Sequence, residues 1–175
     1  SAMAVLSNTP DIGKMADSLA DMFRYAIKQQ DKLVPLRLEF ENLSHYIQIQ
    51  KYRYGRRLAF YSQVPPEDMS CLLLCFTLQP LVENAIVHGL EPRPEGGFVR
   101  VSSLRTDTSL TVTVEDNGVG IPKEKLHQLR LQMEDCRRAS NLNSSHIGLL
   151  NVCERLFLYY GDNASLHIDS QKAKG

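Results

Sequence analysis

Between Leu78 and Gly89 runs an apolar segment, Leu-Gln-Pro-Leu-Val-Glu-Asn-Ala-Ile-Val-His-Gly, that carries polar groups packing does not require. At helical periodicity Pro80, Asn84 and His88 stack in one column, and Glu83 lies beside it. Leu78, Leu81, Val82, Ala85 and Ile86 fill the rest of the cylinder and read as buried. Placing Glu, Asn and His on such a helix costs desolvation unless they face a polar ligand. A cap is the alternative, in which Asn84 or His88 bonds backbone near an end marked by Gly89. Two later stretches favour a ligand. Asp116-Asn-Gly-Val-Gly-Ile121 follows a strand pattern and turns on Gly118 and Gly120, although Asp-Asn-Gly alone makes a turn equally well. His146-Ile-Gly-Leu-Leu-Asn-Val152 opens a helix at Gly148, whose free N–H groups form an anion site, while Leu149, Val152 and Leu156 read equally as core.

In that order, an E-N helix, a D-x-G-x-G turn and a G-L-x-N-V helix start resemble the nucleotide-binding boxes of the GHKL (Bergerat-fold) ATPases. Among these the similarity is greatest to sensor histidine kinases of the LytS/YehU type. Tyr46-Ile-Gln-Ile-Gln-Lys-Tyr-Arg-Tyr54 with Arg57-Leu58, and Leu156-Phe-Leu-Tyr-Tyr-Gly161, extend the resemblance over nearly the whole chain. The resemblance implies ATP and Mg²⁺ as ligands. Asn84, His88, Asp116, Gly118, Gly120, Ile121, His146, Gly148, Leu149 and Asn151 become the nucleotide-binding set. Asp116 would accept a hydrogen bond from the exocyclic amine of adenine. The amide oxygen of Asn84 would ligate the Mg²⁺ that bridges the phosphates, and His88 would donate to phosphate oxygens. Glu83 becomes the catalytic residue: in related ATPases its counterpart activates water, and in histidine kinases it serves the phosphoacceptor step. The polar stretch 138–146 would be a lid.

Four departures bear on what to expect. Val87 stands where many relatives place a Lys against the phosphates. His146 replaces the first glycine of G-x-G, which stiffens the hinge and brings an imidazole near phosphate. The phosphoacceptor His with its Phe-Leu-Phe-Asn is expected before Ser1, and a Thr-bearing last strand after Gly175. Residues 1–175 alone are therefore expected to bind nucleotide without autophosphorylating.

Several elements must position these groups. Ser1-Ala-Met3 has the look of a cloning remnant, and 1–8 reads as an unstructured start. Asn8-Thr-Pro-Asp11 supplies a helix start, after which Met15, Leu19, Met22, Phe23, Ala26 and Ile27 form one stripe. Val34-Pro35 interrupts it. Leu36, Phe40, Leu43 and Ile47 then predict a second helix to about Tyr54, stopped by Gly55. The two helices carry too little apolar surface to stand alone, so they pack on the following domain or on a second copy. Leu58–Val64 reads as a strand, and Met69–Leu78 leads into the first box helix, where Pro80 should kink or restart the chain. Phe98–Leu104 and Leu110–Glu115 alternate about a Thr106–Ser109 turn, a hairpin. Glu124–Arg138 reads as a thin-striped helix, Val152 to Gly161 as a core helix, and Ser165–Asp169 as a last strand. The expected class is α+β, a two-layer α/β sandwich of the Bergerat type. Its mixed sheet carries helices on one face, with 56–175 as ATPase domain and 9–55 as a helical dimerisation and linker segment.

Composition agrees. In 175 residues, 43% apolar and 23% charged describe an ordinary globular chain, and zero formal net charge argues against a nucleic-acid partner. No apolar run reaches the roughly 20 residues that span a bilayer, and no signal peptide is visible. Cys71, Cys75, Cys136 and Cys153 read as buried reduced thiols, and no histidine has a zinc-ligand spacing. The resemblance implies a cytoplasmic domain of an integral membrane sensor, a homodimer, and as partners its own phosphoacceptor helix and a response regulator receiver domain. The alternative is a degenerate nucleotide-sensing or protein-interaction module, favoured by Val87 and His146 and opposed by Glu83, Asn84 and Asp116. A GHKL ATPase doing conformational work would carry large extra domains. Protein Ser/Thr kinases and P-loop enzymes are excluded: there is no Gly-rich loop with its Lys, no H-R-D and no G-K-S/T.

Overall fold

The computed structural model describes residues 10–29, 32–138 and 148–171. Helix α1 (Pro10–Gln29) begins on proline with Asp11 in its first turn, and packs along α2 (Leu36–Tyr54). Its apolar stripe is split. Met15 and Met22 are half-buried, whereas Leu19, Phe23 and Ile27 are exposed together with Ile12. Toward α2 the helix presents Ser18, which donates to Gln48 at 3.3 Å, and Tyr25, which donates to Glu39. One neighbouring helix covers only part of so wide a stripe. In α2, Leu36, Leu43 and Ile47 are buried as their spacing predicts, and Gly55 ends the helix at φ +57° with its N–H on the carbonyl of Lys51.

A small ladder was not visible in the sequence. β1 (Leu33–Pro35) pairs antiparallel with β3 (Leu72–Leu74), Leu33 opposite Leu74 and Pro35 opposite Leu72. Val34-Pro35 is thus a strand rather than an interruption, and the run after Met69 contains its partner. Three residues are too few for alternation to declare itself. The main sheet has the order β2-β4-β5, from β2 (Leu58–Gln63), β4 (Gly97–Arg105) and β5 (Leu110–Asp116). β2 runs parallel to β4, and β4 and β5 form the expected hairpin, with Val99 opposite Asp116 and Arg105 opposite Leu110. The sheet is therefore mixed. Its covered face meets α2 and the first box helix in one core of Leu43, Tyr46, Ile47, Val82, Ile86 and Val99, among others.

That box helix is α3 (Leu78–Asn84), which continues as a π turn, Ala85–Leu90, with the N–H of Glu91 reaching the carbonyl of Ile86. Pro80 neither kinks nor restarts it. It sits in the first turn, where a missing N–H breaks no helical bond. Nor does Gly89 end the helix, which runs through it to Leu90. α4 (Lys123–Arg138) and α5 (Leu149–Tyr160) pack together through Met133, Leu150 and Cys153.

Ser165–Asp169 forms no strand. Its alternation is real, since Leu166 and Ile168 turn inward between exposed Ser165, His167 and Asp169, but no ladder holds it. Side chains do so instead: Arg130 donates to the carbonyl of Ile168 at 2.8 and 3.1 Å. Alternation reports a buried face and not a ladder partner. Cys75 and Cys153 are buried while Cys71 and Cys136 are only half-buried, and none of the four joins a disulfide. No helix among the described residues is long and apolar enough to cross a membrane. His146 and the expected lid, but for the backbone of Arg138, lie outside the described residues.

Candidate functional site

The site forms around α3 and its π turn. At one end, Asn84 is half-buried and its Nδ2 donates to the carbonyl of Pro80 at 2.7 Å. This is the back-bond allowed by the cap alternative, and it has a second effect. The carbonyl accepts only from the amide's N–H side, so the amide oxygen is left as a fixed acceptor. Gly148 lies against this amide. A Cβ on Gly148 would stand 3.1 Å from Nδ2 and 3.3 Å from Oδ1 of Asn84, and its φ of +86° is one that L side chains rarely adopt. Gly148 also starts α5, where the N–H of Val152 bonds its carbonyl at 3.2 Å. Gly148 has no side chain to cap this helix start, and among the described residues none bonds its first amides, which suit an anion.

At the other end, Asp116 closes β5 and folds back, its Oδ1 accepting the N–H of Gly118 at 2.8 Å. The same oxygen would be 2.5 Å from a Cβ on Gly89, and a Cβ on Gly118 would be 2.3 Å from the carbonyl oxygen of Gly89. The N–H of Val119 completes the approach by bonding that carbonyl at 3.0 Å. Two glycines thus allow the turn to lie flat on the helix. Asp116 is exposed over the residue as a whole, but its carboxylate is shielded where it faces Gly89. That burial raises its carboxyl above the ordinary value, against the N–H of Gly118, and the charge of Glu115 adds to the rise. The second carboxylate oxygen keeps its acceptor capacity for a ligand donor.

The remaining residues divide. Gly120 adopts φ +71° and the half-buried Ile121 donates its N–H to Ser170 at 2.8 Å. Leu149 is half-buried and Asn151 exposed, while Val152 and Leu156 are core, as their apolar spacing suggests. Glu83 on α3 and His88 on its π turn are both exposed, and among the described residues neither has a hydrogen-bond partner. Glu83 nevertheless lies close enough to Tyr46 for its charge to add to burial in raising that phenol. Asn117 is a supporting residue of the site that sequence patterning does not single out. Its Oδ1 accepts the N–H of Phe98 at 2.7 Å and its carbonyl accepts from Arg93, which pins the Asp116 turn to the start of β4. The only signal was an Asn in an Asp-Asn-Gly turn.

A family model described as histidine kinase-, DNA gyrase B-, and HSP90-like ATPase matches residues 72–175. The chain belongs to this ATPase family. A histidine kinase model matches residues 1–58 of the same family member. Sensor histidine kinase YesM of Bacillus subtilis (strain 168) is 32% identical over 99% of the chain, and sensor histidine kinase YpdA of Escherichia coli (strain K12) is 32% identical over 86%. The chain spans 28% and 25% of these two relatives. The fold matches a histidine kinase domain from the Erythrobacter litoralis EL346 blue-light activated histidine kinase with a TM-score of 0.51. That match covers 98% of this chain and 75% of the other at 20% identity. In this GHKL-type ATPase domain, α3 carries the E-N motif, the β5 turn the D-x-G-x-G motif, and α5 the third.

Proposed function

We propose that the chain is the ATP-binding catalytic portion of a two-component sensor histidine kinase. In the whole protein, the γ-phosphoryl of ATP passes to a histidine outside residues 1–175 and from there to an aspartate of a response regulator. The observation that carries this reading is convergence: Gly148 lies against Asn84 midway along a single helix, and Asp116 and Gly118 lie against Gly89 near its C-terminal end.

Each group suits its part. The free oxygen of Asp116 is an acceptor for the exocyclic amine of adenine, and would reject a carbonyl at that position. The amide oxygen of Asn84, oriented by Pro80, is a hard neutral ligand suited to Mg²⁺, which when bound neutralises phosphate charge. The uncapped start of α5 at Gly148 offers backbone N–H groups to phosphate oxygens, with Leu149 and Asn151 in its first turn. Glu83 and His88, exposed on the same helix, are available to the phosphoacceptor and to phosphate. Residues 9–55 serve as dimerisation and linker segment and 56–175 as the ATPase domain of a membrane-anchored homodimeric sensor.

Calorimetric titration of ADP and a non-hydrolysable ATP analogue, with and without Mg²⁺, tests the reading on wild type, Asn84→Ala and Asp116→Ala. Binding is expected for wild type, is abolished by Asp116→Ala, and loses its Mg²⁺ dependence in Asn84→Ala. A folded wild type that binds neither nucleotide at millimolar concentration would sink it.

A further inference from the structure

The nucleotide helix begins on a carboxylate that comes from far along the chain. Glu39, in the first turn of α2, is 2% exposed. Its Oε1 accepts the N–H of Phe76 at 2.7 Å, and its Oε2 accepts the N–H groups of Thr77 and Leu78 at 2.9 Å each. Tyr25 of α1 donates its hydroxyl to the same Oε1. The first turn of α3 has no cap from Thr77 itself, so Glu39 supplies the anion that a helix start favours.

The corner between β3 and α3 is held from its other side as well. Arg155 of α5 donates to the carbonyls of Cys75 at 2.7 Å and Phe76 at 3.2 Å. Between the two grips Phe76 adopts φ +56°, unusual for any residue with a side chain. Its ring meets that of Tyr25 edge to face, with centroids 5.1 Å apart. Elements α1, α2, α3 and α5 therefore meet at residues 75–78. Asn42 adds a parallel tie from α2, donating to Gln79 at 2.7 Å.

We infer that Glu39 is a positioning residue for the helix that bears Glu83 and Asn84, and that Tyr25 makes the seating of α1 part of the same contact. A rigid helix start fixes the rotation and rise of everything after it, including the carbonyl of Pro80 that orients Asn84. A shift of α1 moves the Tyr25 hydroxyl, and through the shared carboxylate it reaches the amides of Phe76, Thr77 and Leu78. The inference rests on the reading of α3 as the nucleotide helix, and neither residue touches nucleotide.

The test compares Glu39→Gln, Tyr25→Phe and the double variant with wild type, by amide hydrogen exchange over 76–84 and by titration with Mg²⁺ and the ATP analogue. Glu39→Gln keeps the shape but turns one oxygen into a donor that faces backbone N–H. It should speed exchange over 76–78 and weaken nucleotide binding, each by about tenfold. Tyr25→Phe keeps the ring on Phe76 and should weaken binding by roughly threefold, and the double variant should be no worse than Glu39→Gln, because the Tyr25 hydroxyl acts only through the carboxylate. Multiplying effects would overturn the coupling. So would a lower melting temperature in both single variants with unchanged affinity, which is the mark of a structural contact alone. If Glu39→Gln does not fold, Tyr25→Phe decides by itself. If wild type binds no nucleotide, the functional reading fails separately. Exchange over 79–84 then judges the coupling: faster in Tyr25→Phe sustains it, unchanged overturns it.

Discussion

Oδ1 of Asp116 stands 2.5 Å from the place a methyl group on Gly89 would occupy. The end of β5 and the π turn of α3 therefore meet through a missing side chain, and the two glycines of this contact should respond differently to substitution. In Gly89→Ala the obstacle is a side-chain carboxylate that can swing away. Stability should fall modestly, by about 1 kcal/mol, while the displaced Asp116 costs nucleotide affinity. In Gly118→Ala the obstacle is the backbone of Gly89, at 2.3–2.4 Å, which cannot swing. There the loss should approach about 3 kcal/mol, or roughly 6–12 °C in melting temperature. Thermal denaturation beside nucleotide titration separates the two, and equal melting temperatures would contradict the geometry.

Asp116 should also set a pH dependence. Burial raises its carboxyl above the ordinary 3.8, against the N–H of Gly118 and with help from Glu115. The folded chain then holds this proton more tightly than the unfolded chain does. Stability accordingly falls as pH rises through the window between 3.8 and the raised value. Nucleotide binding runs the opposite way. An amine on the base needs the ionised acceptor, so affinity is lost as pH falls through the raised value. Asp116→Asn keeps an oxygen for Gly118. It should melt no lower than wild type at neutral pH, yet lose nucleotide affinity. A melting temperature clearly below wild type would show that burial of the charge is not the dominant cause.

Gly148 makes a comparable case at the phosphate end. Its φ of +86° strains any side chain, and a Cβ there would crowd the amide of Asn84. Gly148→Ala should cost about 1–2 kcal/mol of stability from the backbone alone. It should also push Asn84 off the line set by Pro80, so binding falls more with Mg²⁺ than without. Parallel titrations with and without the metal read this directly, and an equal loss in both would disconnect Gly148 from Asn84.

How much of this was legible beforehand follows from the range of each interaction. The 4-3-4 spacing of Leu36, Phe40, Leu43 and Ile47 and the alternation in β4 and β5 are local signals of burial, and the structure follows them. Asp116, Gly118 and Gly148 stand out as turn and helix-start residues because turn chemistry restricts what fits there, while a ligand-binding role for them comes from the family resemblance. Gly89 has the local look of a helix end, whereas its smallness serves a contact with Asp116, 27 positions along the chain. Glu39 carries no local signal, because its partners, Phe76 to Leu78, lie beyond any periodicity window. The π turn at Ala85–Leu90 and the pairing of β1 with β3 were lost for a similar reason: neither changes which residues are apolar. Ser165–Asp169 shows the converse, an alternating pattern that earns burial but no ladder.

The exposed stripe on α1 supports a last expectation. Ile12, Leu19, Phe23 and Ile27 are 59%, 47%, 61% and 80% exposed, at spacings of seven, four and four, and so lie along one side of the helix. Covering a large apolar side chain is worth about 1.5–3 kcal/mol, and a two-fold interface counts each residue twice. Pairing of two α1 helices is therefore expected, consistent with the homodimer proposed for the whole sensor. Phe23→Glu should raise the dimer dissociation constant by at least about tenfold while leaving the fold intact, since Phe23 contributes to none of the buried clusters. Leu158→Glu, on an equally exposed residue of α5, serves as the control and should leave association unchanged. Sedimentation velocity over a concentration series reads both variants. If Leu158→Glu weakens association and Phe23→Glu does not, the dimer forms through α5, and the α1 stripe must find its cover elsewhere.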